Sequence, residues 1–155
     1  MKKLNFMIIL GLILTAPTTA MADVADDVIA LAKAQWAAEL ANAPAAKVME
    51  TVADDYTEFN PTYPTRIDGK KLNEKFAEAA EKDATKLVVA DMANAKVQVY
   101  GDVAILSYNF IGATQGPDGT IGQTTAKSTR VYAKKNGDWM LVHANFAPLT
   151  NSPDN

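Results

Sequence analysis

From residue 86 to residue 146 apolar side chains recur at roughly every second position, and three turn signals break the run. Residues 87–91 and 95–100 read as strand segments separated by a kink at Ala93-Asn94. Gly101-Asp102 then turns the chain into 103–111, and 115–119 closes a hairpin loop. A strand over 124–134 follows, and Asn136-Gly137, a strong tight-turn dipeptide, leads into 139–146. Successive side chains of a strand point to opposite faces, so this pattern predicts an antiparallel meander with one face buried.

The first half of the chain supplies the cover such a face needs. Over 23–43, Val24, Val28, Ile29, Leu31, Ala32, Trp36 and Leu40 fall at near-helical spacing and build one broad apolar side. Asp23, Asp26 and Asp27 suit the positive end of that helix's dipole, and Pro44 stops it. A second helix is expected over 45–53, burying Val48, Met49 and Val52. Residues 56–59 alternate as a short strand, and 60–64 carries two prolines in a turn-rich stretch. Asp68-Gly69 opens a third helix over 70–82, with Leu72, Phe76, Ala79 and Ala80 inward. Three N-terminal helices on one face of a curved antiparallel sheet describe an α+β domain.

Residues 1–22 read as a targeting segment. Lys2-Lys3 precede an apolar stretch over 6–14, and Ala20-Met21-Ala22 supplies a small-x-small cleavage signature. The apolar stretch is short of the about 20 residues that span a bilayer, so cleavage after Ala22 and release from the membrane are expected. Removal leaves 133 residues with a formal charge of −5, because Lys2 and Lys3 go with the leader. The expected organisation is therefore a leader at 1–22, one domain at 23–149 and a polar tail at 150–155, in a periplasmic or secreted bacterial protein.

Composition removes several classes of function. A formal charge of −3 over the whole chain and a pI near 5.1 oppose a nucleic-acid footprint, which needs clustered cations. No cysteine is present, which removes disulfides, thiolate metal sites and cysteine nucleophiles. A single histidine, His143, rules out a multi-histidine metal centre, and no cofactor is expected.

Five blocks stand in an order that resembles the SnoaL-like, or nuclear transport factor 2-like, superfamily: residues 54–61, Asp68-Gly69, 100–104, Ser128-Thr-Arg-Val-Tyr132 and 136–143. The last two look most like the association domain of calcium/calmodulin-dependent protein kinase II and its bacterial relatives. The resemblance implies a cone: a strongly curved sheet wrapped round a pocket that the first helix closes. It does not imply one activity, because the fold carries isomerases, cyclases, dehydratases, binding modules and assembly hubs. It also implies that Arg130 is a pocket arginine. Two further pocket arginines of the association domains align with Phe110 and Phe146, and a pocket histidine aligns with Asn73, so this chain departs at all three. A smaller or more apolar ligand with one charged or carbonyl anchor then fits better than a strongly anionic one.

Arg130 cannot shed its charge, so inside an apolar cone it needs an internal carboxylate or a ligand. Trp36, Tyr56 and Tyr108, with Tyr63 and Tyr100, offer apolar bodies with polar tips for a pocket wall, a role they share with ordinary core residues. His143 is the one side chain that titrates near neutrality when unperturbed. Alternation places it with Asn145 on one side of the last strand, and Met140, Val142, Ala144 and Phe146 on the other. If Phe146 lines the cone, His143 faces the outer sheet surface, unless a bulge reverses the faces. Asp91 is the least easily explained acid, and no acid has an evident aromatic-hydroxyl partner in the sequence. The favoured reading is an exported module that binds a small, largely apolar molecule or pairs as a homodimer, without demonstrable catalysis. The alternative is a small isomerase, cyclase or dehydratase using His143 or Asp91 with Arg130.

Overall fold

A computed structural model describes residues 18–80 and 85–149. Most of the expected leader, the end of the third helix and the expected tail lie outside the described residues. The elements are α1 (Thr18–Leu40), α2 (Ala45–Val48), β1 (Val52–Phe59), β2 (Ile67–Asp68), α3 (Lys70–Ala80), β3 (Lys86–Tyr100), β4 (Val103–Gln115), β5 (Ile121–Lys135) and β6 (Asp138–Pro148). The helices come first and the long strands follow, as the change of period requires. The helix α1 begins five residues ahead of Asp23, so the expected cleavage point falls inside it.

All six strands form one curved sheet in the order β2-β1-β6-β5-β4-β3. The meander β3-β4-β5-β6 is antiparallel throughout, but β1 lies parallel to β6. Antiparallel pairing was the expectation for the whole sheet. It fails at β1 because no tight turn joins β1 to its neighbour: the chain passes through α3 and four other strands first, and a crossover of that length permits a parallel pair. The second helix is also shorter than expected, ending at Val48. Val52 pairs with Leu141 and the amide of Leu141 donates to the carbonyl of Thr51, so sheet pairing overrides local helix propensity from about Thr51 onward.

Three asparagines adopt positive φ, and two mark features the sequence signalled. Asn136 (φ 53°) with Gly137 (φ 98°) makes the tight turn between β5 and β6. Asn94 (φ 53°) sits in the register shift between Ala93 and Lys96, where the kink was expected, and its amide donates to the side chain of Asn109 at 3.1 Å.

The core lies between α1 and the inner sheet face. Val28, Ala32 and Trp36 descend from α1 onto Ala104, Leu106 and Tyr108 of β4, with Tyr132, Leu141 and Ala144 beside them. In β6 the pairing slips: Val131 opposes His143 while Tyr132 opposes Leu141, leaving Val142 as an extra residue. This bulge corrects simple alternation, which grouped Met140 with Ala144. Leu141 and Ala144, three positions apart, are both buried, so the inner face of the strand is continued by Leu141.

Candidate functional site

Inner positions of β5 run Ala126, Ser128, Arg130, Tyr132, and all four are buried. An arginine in that stripe is 3% exposed, a degree of burial that charged side chains reach only with partners. Two of its five N–H groups have neutral acceptors: Nε donates to the Tyr108 hydroxyl at 3.1 Å and Nη1 to Oε1 of Gln35 at 2.6 Å. The guanidinium carbon lies 5.3 Å from the centre of the Trp36 ring and 5.9 Å from that of Phe146, within reach of a cation–π contact. Ion pairs among the described residues join Lys47 to Glu50, Arg66 to Asp68 and Lys135 to Asp55, and Arg130 is in none of them.

Beside Arg130 is a cavity of about 240 Å³. Its apolar walls are Trp36, Met49, Phe110 and Phe146, with Trp36 and Phe110 packed at 5.4 Å between ring centres. Its polar lining includes Gln35, Glu39, Tyr56, Glu58 and Asn73. Of the residues expected to form the site, the structure therefore brings Arg130, Trp36, Tyr56, Asn73, Phe110 and Phe146 together. Tyr108 stands behind Arg130 as its hydrogen-bond acceptor, with its ring 5.6 Å from Trp36. Tyr63 stacks on Phe76 at 4.3 Å and Tyr100 is exposed, so neither lines this cavity.

His143 and Asp91 stand elsewhere. Thr57 and His143 are register partners, and Thr57 Oγ1 is 2.9 Å from His143 Nδ1. Thr57 lies between Tyr56 and Glu58, which face the cavity, so the pair occupies the opposite sheet face. Phe59, half exposed, meets the imidazole edge-on at 6.0 Å. Asp91 is exposed on β3, and its carboxylate accepts from the amide of Met92 at 2.8 Å.

Glu58, Gln35 and Glu39 are among the lining residues that were not singled out from sequence. Glu58 is 7% exposed, and three neutral donors converge on its carboxylate: the Tyr56 hydroxyl at 2.8 Å, Asn60 Nδ2 at 2.8 Å and Asn73 Nδ2 at 3.0 Å. This corrects the expectation that no acid has an aromatic-hydroxyl partner. The signal was present, since Tyr56 and Glu58 are two apart on an alternating strand and share a face. Burial, followed by the adjacent Glu58 charge, pushes the Tyr56 hydroxyl far above the ordinary tyrosine range, so it remains a donor. Gln35 and Glu39, one turn apart on α1, flank Trp36 and continue the buried stripe Val28-Ala32-Trp36 toward the cavity. Burial raises the Glu39 carboxyl, and the attraction of Arg130 opposes this without cancelling it.

Chemically, the cavity offers one permanent cation, two carboxyl groups, amide and hydroxyl groups, and aromatic walls. Among the described residues no group of three or more His, Cys, Asp or Glu side chains could hold a metal ion, and no helix is long and apolar enough to cross a membrane.

Residues 25–149 match the family model of the calcium/calmodulin-dependent protein kinase II association domain. No curated protein matches the chain. Among solved structures, the hub homology domain of this kinase from Chlamydomonas reinhardtii is similar at 22% identity and TM-score 0.68, covering 82% of this chain and 98% of that one. The association domain of the kinase from C. elegans is similar at 19% identity and TM-score 0.60, covering 83% and 95%. A nuclear transport factor 2-like protein of unknown function in nutrient uptake from Rhodospirillum rubrum shares 23% identity and TM-score 0.64, covering 81% and 100%.

Proposed function

The chain belongs to the calcium/calmodulin-dependent protein kinase II association-domain family, and we propose that it is an exported module that holds a small molecule in the cavity beside Arg130. The observation that carries this reading is a buried guanidinium on a cavity wall whose hydrogen-bond acceptors among the described residues are neutral. A buried cation in no direct ion pair is costly, the Glu39 carboxyl nearby being itself raised by burial, and a ligand acceptor, carboxylate or carbonyl, meets that need from the cavity side. Trp36, Phe110 and Phe146 suit an apolar body, and a volume below the about 300–1,000 Å³ of common ligand clefts suits a small one. Catalysis through His143 or Asp91 has no support in this geometry, because neither lines the cavity.

Self-association is the second part of the proposal. The relatives named as hub or association domains support it, and the outer sheet face carrying Thr57, Phe59 and His143 is the surface we assign to a second copy. Export rests on the leader signature alone.

A thermal-shift screen with small carboxylates and apolar carbonyl compounds tests the pocket. Stabilisation of wild type that disappears in Arg130→Met supports it, whereas an unchanged response in the variant removes Arg130 from the site. Sedimentation velocity of the processed chain tests pairing, and a monomer at every concentration overturns it.

A further inference from the structure

Arg130 and Glu58 are the two charged side chains of this cavity that are less than one-tenth exposed, while Glu39, less deeply buried, has a carboxyl that burial raises toward its neutral form. Glu58, on the opposite set of elements, is also surrounded by neutral partners, and the two are not paired with each other. Their partners hold them apart. Gln35 of α1 and Tyr108 of β4 fix the guanidinium on the β5 side, while Tyr56 of β1, Asn60 just after it and Asn73 of α3 fix the carboxylate. Opposite charges drawn into one small cavity would ordinarily close into a bidentate pair, which is the strong arrangement for arginine and carboxylate. Among the described residues each keeps unfilled capacity. Arg130 carries five N–H groups against the acceptors Tyr108, Gln35 and the neighbouring Tyr132 hydroxyl, and Glu58 Oε1 accepts one bond where an ionised oxygen takes about two.

We infer that the cavity takes a zwitterion, a small amino acid with its carboxylate on Arg130 and its ammonium at Glu58, the carbon skeleton lying between against Trp36, Phe110 and Phe146. A simple anion satisfies Arg130 but leaves its other end beside the Glu58 charge. A simple amine satisfies Glu58 and faces the guanidinium. A net-neutral molecule with separated charges meets both, and like-charge juxtaposition rejects the other two. Asn73 supports the ammonium as well, since its amide nitrogen is committed to Glu58 and its oxygen remains an available acceptor.

This inference rests on the reading of the cavity as a small-molecule site and fixes the class of molecule. Isothermal titration of the wild-type chain at pH 7 with matched sets decides it: an ω-amino acid, the carboxylic acid lacking the amine, and the amine lacking the carboxylate, at increasing chain length. The expected result is one length at which the amino acid binds at least about tenfold tighter than both partners. Glu58→Gln then erases that advantage over the acid, while Arg130→Met weakens acid and amino acid alike. An acid that binds as tightly as its amino acid at every length overturns the zwitterion and leaves the small-molecule site standing. Failure of all three classes to bind overturns both. The wild-type comparison is decisive even if Glu58→Gln does not fold.

Discussion

Arg130 on β5 donates to Oε1 of Gln35 on α1 at 2.6 Å, so a buried cation fastens the covering helix to the sheet across 95 positions of sequence. The bond joins two roles that can be separated by substitution, holding α1 in place and presenting charge to the cavity.

If presenting charge is the main role, replacing the guanidinium by an apolar chain of similar length costs little. Arg130→Met is expected to unfold in urea within about 1 kcal/mol of wild type, or above it, because a buried charge in no direct ion pair is removed along with its bonds to Tyr108 and Gln35. Arg130→Ala also removes the packing against Trp36 and Phe146 and is expected to cost about 2–4 kcal/mol. A loss above about 3 kcal/mol in the methionine variant would make Arg130 a structural residue.

Tyr56→Phe takes one of three donors from the buried Glu58 carboxylate while keeping the ring in place. The expected cost is about 1–3 kcal/mol, the range for a buried hydrogen bond to a charged group. Chemical denaturation checks it, with Tyr100→Phe as the control, since the Tyr100 hydroxyl is exposed and its loss is expected to be silent.

Glu39 introduces a pH dependence of defined sign. Its folded carboxyl titrates above the unfolded value of 4.5, so the native state holds this proton over a range where the unfolded chain has released it. The contribution to stability is full below about pH 4.5 and is lost as pH rises through the folded value. Glu39→Gln is expected to flatten this slope and to be more stable than wild type at pH 7. Denaturation midpoints measured from pH 4 to pH 8 test it, and parallel curves for the two proteins would show that Glu39 is not burdened by burial.

A side chain at Gly112 would push into the cavity wall. A methyl group there meets the Phe110 ring at 2.5 and 2.7 Å, and that ring is held in place against Trp36. Gly112→Ala is expected to cost about 1–3 kcal/mol and to weaken binding of any ligand that rests on Phe110. Unchanged affinity would show that Phe110 yields or that the ligand does not reach it.

The architecture was legible because its signals are local and periodic. The strand pattern after residue 86, the Asn136-Gly137 turn and the kink at Asn94 are each set by a few neighbouring residues. The parallel partner of β1 and the extra residue at Val142 are set by contacts distant in sequence, and no local pattern encodes them. The same division runs through the site. Arg130 stood out as a charge in an apolar strand and Trp36 as a large aromatic side chain, whereas Phe110 and Phe146 were marked only by their alignment with pocket arginines of the association domains. Glu58 and Glu39 carry no local mark of a site, and the fold brings Asn73 against one and Gln35 beside the other.

The parallel pairing of β1 with β6 also sets an order in time. Thr57 meets His143 across 86 positions, and β6 is the last strand among the described residues. Until that strand is available, β1 has no neighbour except the two-residue β2, and Tyr56 and Glu58 have no wall to face. Long-range closure of this kind is slow compared with the hairpins of the meander. The cavity is therefore completed late, after synthesis of nearly the whole domain, and a partly made chain has no closed binding site to offer.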